Sequence, residues 1–225
     1  MKFTQIAIDG PAGAGKSSIA KELAKILKYI YIDTGAMYRA VTYVSMKKNI
    51  PFDQSKTIEN MAEEMDIQFD IDNGTQNIIV NGEDVSEEIR LPEVSRNVSI
   101  VSSFSGVRRE MVSKQREMGK DNNVVMDGRD IGTVVFPYAK HKIFLTAKPE
   151  VRAVRRMKEM EEKGHTVDYN QLLEEIKERD YMDENRADSP LIAAEDAIIV
   201  DTTDLSFDEV LEKITTMIRS GNHVL

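Results

Sequence analysis

The sequence predicts an α/β protein: a five-stranded parallel sheet with helices on both faces, a small antiparallel β insertion and a helical lid. Three observations predict it. Five short apolar runs alternate with stretches of helical periodicity, the pattern of a parallel sheet covered on both sides. The first run leads through Gly10-Pro-Ala-Gly-Ala-Gly-Lys16-Ser17-Ser18 straight into a helix. Between about Asp66 and Ser86 the apolar period changes from helical to two, which marks a separate hairpin-like unit.

Taken in order, Phe3–Ile8 is apolar and β-prone and closes on Asp9. After the glycine loop, Ile19, Leu23, Ile26 and Leu27 recur at helical spacing with Ala20 and Ala24 on the same face. Tyr29–Ile32 is the second run, followed by Asp33-Thr34-Gly35-Ala36-Met37-Tyr38-Arg39 and helical patterning toward Met46. Ile67, Phe69 and Ile71, the turn-rich Asp72-Asn73-Gly74, then Ile78, Val80 and Asn81-Gly82 form the period-two stretch. Val124–Met126 ends in Asp127-Gly128-Arg129-Asp130, and Lys142–Thr146 precedes Pro149, which suits a first helical turn. From Pro149 to Arg186 the chain is charged and helical, broken near Lys163-Gly164; a mobile lid and a plain solvated helical pair both fit. Ala197–Val200 is the fifth run. Ser206 and Glu209 then form a capping box for a last helix with Val210, Leu211, Ile214, Met217 and Ile218 on one face.

The loop Gly10–Ser18 fits G-x-x-x-x-G-K-[ST], and strand, loop and helix stand in the order its chemistry requires. Gly10, Pro11, Ala12, Gly13, Ala14 and Gly15 bring backbone N–H groups together around an anion. The helix that follows adds free amide donors and a positive dipole end. Lys16 reaches the β/γ-phosphates of a nucleoside triphosphate, and the Ser17 hydroxyl suits Mg²⁺. A chance glycine-rich turn is the competing explanation, and the flanking strand and helix weigh against it. Asp127, at the end of an apolar strand, holds the place of an acid that supports Mg²⁺ directly or through water; a turn-capping acid is the alternative. Asp33-Thr34-Gly35 alone reads equally as a turn signal. Arg152, Arg155 and Arg156 share one helix face, and Arg179, Asp183 and Arg186 another. Guanidinium groups clamp phosphates in pairs of bonds, although exposed arginines paired with acids are common on helices.

With 225 residues, 41% hydrophobic and 31% charged, the chain can bury a proper core without disulfides. It has no cysteine, so a thiolate metal site is excluded, in keeping with a reducing cytoplasm. The net charge of −9, from 39 acidic and 30 basic residues, argues against a nucleic-acid partner. No apolar run approaches membrane-spanning length. The first strand begins too early to leave room for a signal peptide. The three histidines, His141, His165 and His223, are scattered without metal-ligand spacing, and the twelve methionines read as core filler.

Together these blocks resemble bacterial cytidylate kinases over nearly the whole chain. The resemblance is carried by Ile8–Gly13 leading into Gly15–Ser18, by Asp33–Arg39, by Gly82–Ser86 with Ile89-Arg90, and by Val107-Arg108-Arg109. It continues in Asp127-Gly128-Arg129-Asp130-Ile131-Gly132-Thr133-Val134-Val135-Phe136-Pro137 and in Ile176–Asp180 with Asn185-Arg186. The phosphate loop is common to many kinases; the Asp127–Pro137 block and the inserted sheet are much more family-specific.

The resemblance implies transfer of phosphate from ATP to CMP or dCMP with Mg²⁺, by a cytoplasmic monomer. It implies a single P-loop kinase unit with a core of residues 1–60, 95–148 and 190–225, an acceptor-side insertion at about 61–94 and a lid at about 149–189. Lys16, Asp127, Arg129 and Arg179 are then catalytic, with Ser17 and Asp127 on the metal. Gly10–Ser18 hold ATP, and the face of Arg152, Arg155 and Arg156 matches the family's clamp on its phosphates, with Arg155 as the candidate among the three. Thr34 and Arg39 hold the acceptor nucleotide; Ser99, Arg108 and Asp130 read the cytosine ring; and Arg129, Arg179, Asp183 and Arg186 surround the acceptor phosphate and sugar. Thr34 departs from the serine expected in many relatives but keeps the hydroxyl. A kinase of another small acceptor such as UMP, or a nucleotide-dependent switch, would use the same phosphate loop.

Overall fold

The computed structural model describes residues 3–72, 75–162, 164 and 166–220. Asn73-Gly74, Lys163, His165 and His223, all read above from the sequence, lie outside the described residues, as do the side chains of Ile71, Asp72 and Thr75.

All five expected strands form. They are β1 (Gln5–Asp9), β2 (Ile30–Asp33), then, after the inserted unit, β6 (Val124–Gly128), β7 (His141–Thr146) and β8 (Ile198–Asp201). The sheet order is β2-β6-β1-β7-β8, with parallel pairing of β1 to both β6 and β7 and of β7 to β8. Every residue of β1 and β6 is buried, as a run without polar alternation requires. The chain leaves β1 toward one edge of the sheet and later returns to build the other, so β1 stands at the switch point outside which ligands gather in such sheets.

Helix α1 (Lys16–Leu27) follows the glycine loop and lays Ile19, Ala20, Leu23 and Ala24 into a core with Ile6, Ile8, Val125 and Leu145. It ends where Lys28 takes a left-handed conformation and its N–H closes the last turn onto Ala24. The last helix, α8 (Phe207–Ser220), buries Val210 and Ile214 in the same core. Its capping box is complete: the Glu209 carboxylate accepts from the Ser206 N–H at 2.8 Å, and the Ser206 hydroxyl accepts from the Glu209 N–H at 3.3 Å. Helices α6 (Pro149–Glu162) and α7 (Tyr169–Asn185) pack on one another through Ala153, Leu172 and Ile176.

Contacts divide the chain into two compact units, Met1–Tyr31 with Gly119–Leu225, and Ile32–Met118. Within the second, α2 (Thr34–Lys47), α3 (Ser55–Glu64), α4 (Pro92–Ser102) and α5 (Ser105–Lys120) share a core with the small sheet. That sheet is antiparallel in the order β3-β4-β5, from β3 (Ile67–Asp72), β4 (Thr75–Val80) and β5 (Glu83–Asp84). Asn81 and Gly82, with φ of 51° and 84°, form the two-residue turn between Val80 and Glu83, a conformation that matches the natural strand twist. Among the described residues, no helix is long and apolar enough to cross a membrane.

Because α1 carries Lys16 and Ser17, its seating on the sheet sets their position. Leu23 is fully buried there. Leu23→Ala should lower the unfolding free energy by about 2–5 kcal/mol, read from urea denaturation; a loss under about 1 kcal/mol would mean that α1 is not anchored through this face.

Candidate active site

The phosphate loop is shaped by contacts that leave no room for side chains. Gly10 has φ of 142°, and a Cβ there would overlap the carbonyl oxygen of Leu145 on β7. Gly13, at φ 76°, lies against Arg152, whose Cβ would stand 3.1 Å from an added methyl. The loop backbone is therefore held between β7 and α6, with its amides opening at the start of α1. The Lys16 side chain is buried and its ammonium donates to the Pro11 carbonyl at 2.7 Å, folding back across the loop. Burial, then the charge of Arg129, pulls its pKa well below the ordinary lysine value; Arg179 adds to the fall, while Asp127 and Asp9 oppose it.

Asp127 ends β6 beside β1, only 4% exposed. The Ser17 hydroxyl donates to its Oδ2 at 2.8 Å, and the Tyr31 hydroxyl to its Oδ1 at 2.9 Å. The two residues expected to share a metal are thus in direct contact although 110 positions apart in sequence. A hydroxyl and a carboxylate at the mouth of a phosphate loop are the hard oxygen donors that Mg²⁺ takes alongside water and phosphate. Among the described residues no group of three or more His, Asp or Glu side chains forms an all-protein metal cage, which Mg²⁺ does not need.

Beyond Asp127 lies a knot of arginines. The Arg129 Nε donates to Asp183 Oδ2 at 2.9 Å, and Arg186 approaches the other oxygen of Asp183 at 3.8 Å. Burial alone would raise the pKa of Asp183, but the charges of Arg129 and Arg179, with the Arg129 hydrogen bond, drive it below the usual carboxylate value. Arg129, Arg179 and Arg186 therefore surround one ionised acid, and Arg129 and Arg179 also act on Lys16.

The three arginines of α6 part company. Arg152 is buried, donates to the carbonyls of Ala147 at 2.9 Å and Ala12 at 3.0 Å, and forms a two-toothed ion pair with Asp180. Arg155 turns to Thr202, donating to its hydroxyl at 3.0 Å and its carbonyl at 2.6 Å. Arg156 is exposed and paired with Glu159 one turn on. The guanidinium bonded to the phosphate loop is that of Arg152.

In the second unit, Asp33 caps α2 by accepting from the Ala36 N–H at 2.9 Å and pairs with Arg39 at 2.9 Å, with buried Thr34 beside it. Ser99 and Arg108 are both buried near the end of α4. There the Ser102 hydroxyl donates to the Ser99 carbonyl at 3.2 Å, and Arg108 donates to the Ser102 carbonyl at 3.2 Å. The Arg108 guanidinium lies over the Tyr38 ring, 5.4 Å from its centre. Asp130, the third expected base-reading residue, is buried in the first unit.

A family model described as cytidylate kinase matches residues 6–220. The cytidylate kinase of Caldicellulosiruptor bescii is 54% identical over 215 residues, spanning 95% of this chain and 95% of that one. That of Clostridium tetani is 53% identical over 215 residues, spanning 96% of this chain and 93% of its own length. The chain belongs to the cytidylate kinase family. Among solved structures, the shikimate kinase of Bacteroides thetaiotaomicron is similar with a TM-score of 0.50 at 16% identity, covering 96% of this chain and 98% of that one. An uncharacterized protein from Eubacterium ventriosum gives 0.53 at 14% identity, covering 97% and 99%. These two are likenesses of fold alone.

Cytidylate kinase blocks in the sequence mark Asp127–Pro137, but the contacts of three further polar residues of this site were not read from the sequence. Tyr31 reads as one more β-prone residue, yet it holds Asp127. Thr202, after β8, receives Arg155 and donates from its hydroxyl toward the Ala14 carbonyl at 3.4 Å. Asp9 reads as the end of a strand, yet its carboxylate accepts from the Ile131 N–H at 2.8 Å and the Gly132 N–H at 2.7 Å. A signal existed for Asp9 alone: an acid closing an otherwise apolar strand must find donors inside the fold.

Burial pushes the Asp9 pKa up to about 7, against the pull of the Gly132 and Ile131 amides; Asp130 adds to the rise and Lys16 opposes it. Between about pH 4 and 7 the folded chain therefore holds a proton that the unfolded chain has released. The contribution of this group to stability falls as pH rises through that window. Asp9→Asn, which cannot ionise, should gain stability relative to wild type between pH 5 and pH 8 in urea denaturation. A difference that stays constant or moves the other way would refute the raised value.

Proposed function

We propose that this protein transfers the γ-phosphate of ATP to CMP or dCMP, giving CDP or dCDP and ADP. The observation that carries the reading is the contact of Ser17 with Asp127 beneath the phosphate loop, with Lys16 close enough to Arg129 and Arg179 to feel their charge. Phosphoryl transfer asks for positioning and for neutralisation of charge on the moving group, with little covalent chemistry from the protein. An oxygen of the acceptor phosphate attacks the γ-phosphorus while the bond from phosphorus to the β–γ bridging oxygen breaks, and ADP leaves. The loop amides and Lys16 take the donor phosphates. Arg129, Arg179 and Arg186, held around Asp183, offset the negative charge where acceptor and donor phosphates meet. Mg²⁺, held by Ser17 and Asp127, would supply charge neutralisation on the triphosphate. Arg155 and the rest of residues 149–189 serve as the lid that keeps water from competing as acceptor. Residues 61–94 form the acceptor-side insertion on a core of residues 1–60, 95–148 and 190–225.

Thr34 and Arg39 hold the acceptor nucleotide, and Ser99, Arg108 and Asp130 read its base. Cytosine offers two acceptors and one amino donor, so an acid among donors matches it. Uracil would turn a carbonyl toward the acid and leave both oxygens facing each other. The reading implies a monomer working in the cytoplasm, with nucleotides as its ligands and neither nucleic acid nor membrane as partner.

An ADP-release assay across CMP, dCMP, UMP and AMP should show CMP and dCMP as the best acceptors. Equal kcat/KM for UMP and CMP would end the claim of cytosine selectivity. In the same assay, Asp130→Ala should reduce the preference for CMP over UMP by about 10- to 100-fold, the loss expected for one buried charged hydrogen bond. The KM for ATP should change little; a collapse of ATP affinity with intact discrimination would remove Asp130 from the base pocket.

A further inference from the structure

Asp9 has no part in the chemistry above, yet it is only 5% exposed and sits at the last position of β1, immediately before Gly10. A carboxylate is costly to bury unless strong donors satisfy it. Its donors are unusual. Ile131 and Gly132 begin a single π-helical turn, Ile131–Val135, in which the Val135 N–H closes onto the Asp130 carbonyl at 3.1 Å and the Phe136 N–H onto Ile131 at 2.7 Å. The first amides of any helical turn lack partners within it. Ordinarily the residue before the turn folds its own side chain over to accept from them, and aspartate is among the best residues for that task.

Here that residue is Asp130, and its side chain makes no capping bond. Asp9 has taken the amides instead, one on each oxygen, from the neighbouring strand. The register makes the reach short: Asp9 stands opposite Gly128, two positions before Asp130. The fit is tight as well. A Cβ on Gly132 would lie 3.3 Å from Asp9 Oδ2 and 3.2 Å from Lys142 Cδ, so the turn is seated against the carboxylate with no spare room.

We propose that Asp9 is a positioning residue for acceptor selectivity: by capping the Ile131–Gly132 turn from another strand, it releases Asp130 from capping and holds the Asp130 carboxylate for the acceptor base. The inference rests on the reading of Asp130 as the cytosine-selecting acid. It also ties the direction of that acid to the strand end from which the donor loop springs. Without Asp9 the unpaired amides offer Asp130 an alternative partner in its own turn, and the acid is drawn away from the base.

The test is a double-mutant cycle of Asp9→Asn and Asp130→Ala, read as CMP/UMP discrimination, the KM for CMP and the KM for ATP. Asparagine keeps the size of Asp9 but presents one acceptor and an NH₂ group to two N–H donors. On its own, Asp9→Asn should cut discrimination at least ten-fold and raise the KM for CMP, with the KM for ATP within two-fold of wild type. In the Asp130→Ala background it should change discrimination less than two-fold, because the group it positions is gone. Full discrimination in Asp9→Asn, an equal further loss in the Asp130→Ala background, or a matching rise in the KM for ATP would each overturn the proposal. If Asp130→Ala itself leaves discrimination intact, the reading of Asp130 falls and this inference with it; if only the coupling is missing, the inference alone falls. Should Asp9→Asn not fold, Gly132→Ala, which pushes the turn off the same carboxylate, is judged by the same outcomes in the same cycle.

Discussion

Buried charge sets the terms for this molecule. Lys16, Asp127, Asp130, Asp9, Arg152 and Asp183 are all buried, and an isolated charge in such surroundings would cost several kcal/mol. These groups are met by fixed partners. Lys16 has a loop carbonyl, Asp127 two hydroxyls, Asp183 two arginines, Arg152 an acid and two carbonyls, and Asp9 two amides. Half of these partners are backbone groups at strand ends and loop turns, whose positions the fold itself sets.

That arrangement has a consequence for electrostatics. Lys16 lies where burial, Arg129 and Arg179 all disfavour its charged form, and only acids oppose them. Under the proposed function, phosphate entering here would return an opposite charge to these cations in a low-dielectric setting. Around Asp183, the charges of Arg129, Arg179 and Arg186 act together on one acid. Arg152 serves the frame instead, since its guanidinium is spent on the loop carbonyl of Ala12 and on Asp180, tying the loop to α6 and α7.

Much of the fold was legible because its signals are local. The five apolar runs, the capping box at Ser206 and Glu209, the Asn81-Gly82 turn and Pro149 at the head of a helix all depend on neighbours within a few residues, and all appear as expected. The phosphate loop was legible for the same reason. Helices α3, α4 and α5 were not individually foreseen, since their apolar positions face a core shared with the small sheet and only that shared core explains them. The partners of Asp127 were half visible: Ser17 followed from the loop motif, whereas Tyr31 has no signature, because nothing in Tyr29–Ile32 marks one ring as facing an acid.

By itself, the sequence determined what each segment is: strand, loop and helix in an order that places a phosphate loop after the first strand, and blocks of residues that belong to one family. Pattern and turn chemistry act over a few residues, so they survive being read in one dimension. Which strand stands beside which was decided only in three dimensions, when β6 came to lie between β2 and β1. That pairing puts Asp127 against Ser17 and Asp9 under the turn after Asp130, across separations of 110 and 122 residues. The loop Gly10–Ser18 could be recognised from its own residues. Asp127 could be singled out at its strand end, but its contacts with Ser17 and Tyr31, and those of Asp9 with Ile131 and Gly132, exist only after the sheet has brought distant strand ends together, because hydrogen bonds act over about 3 Å and carry no record in the chain of which partner will be there.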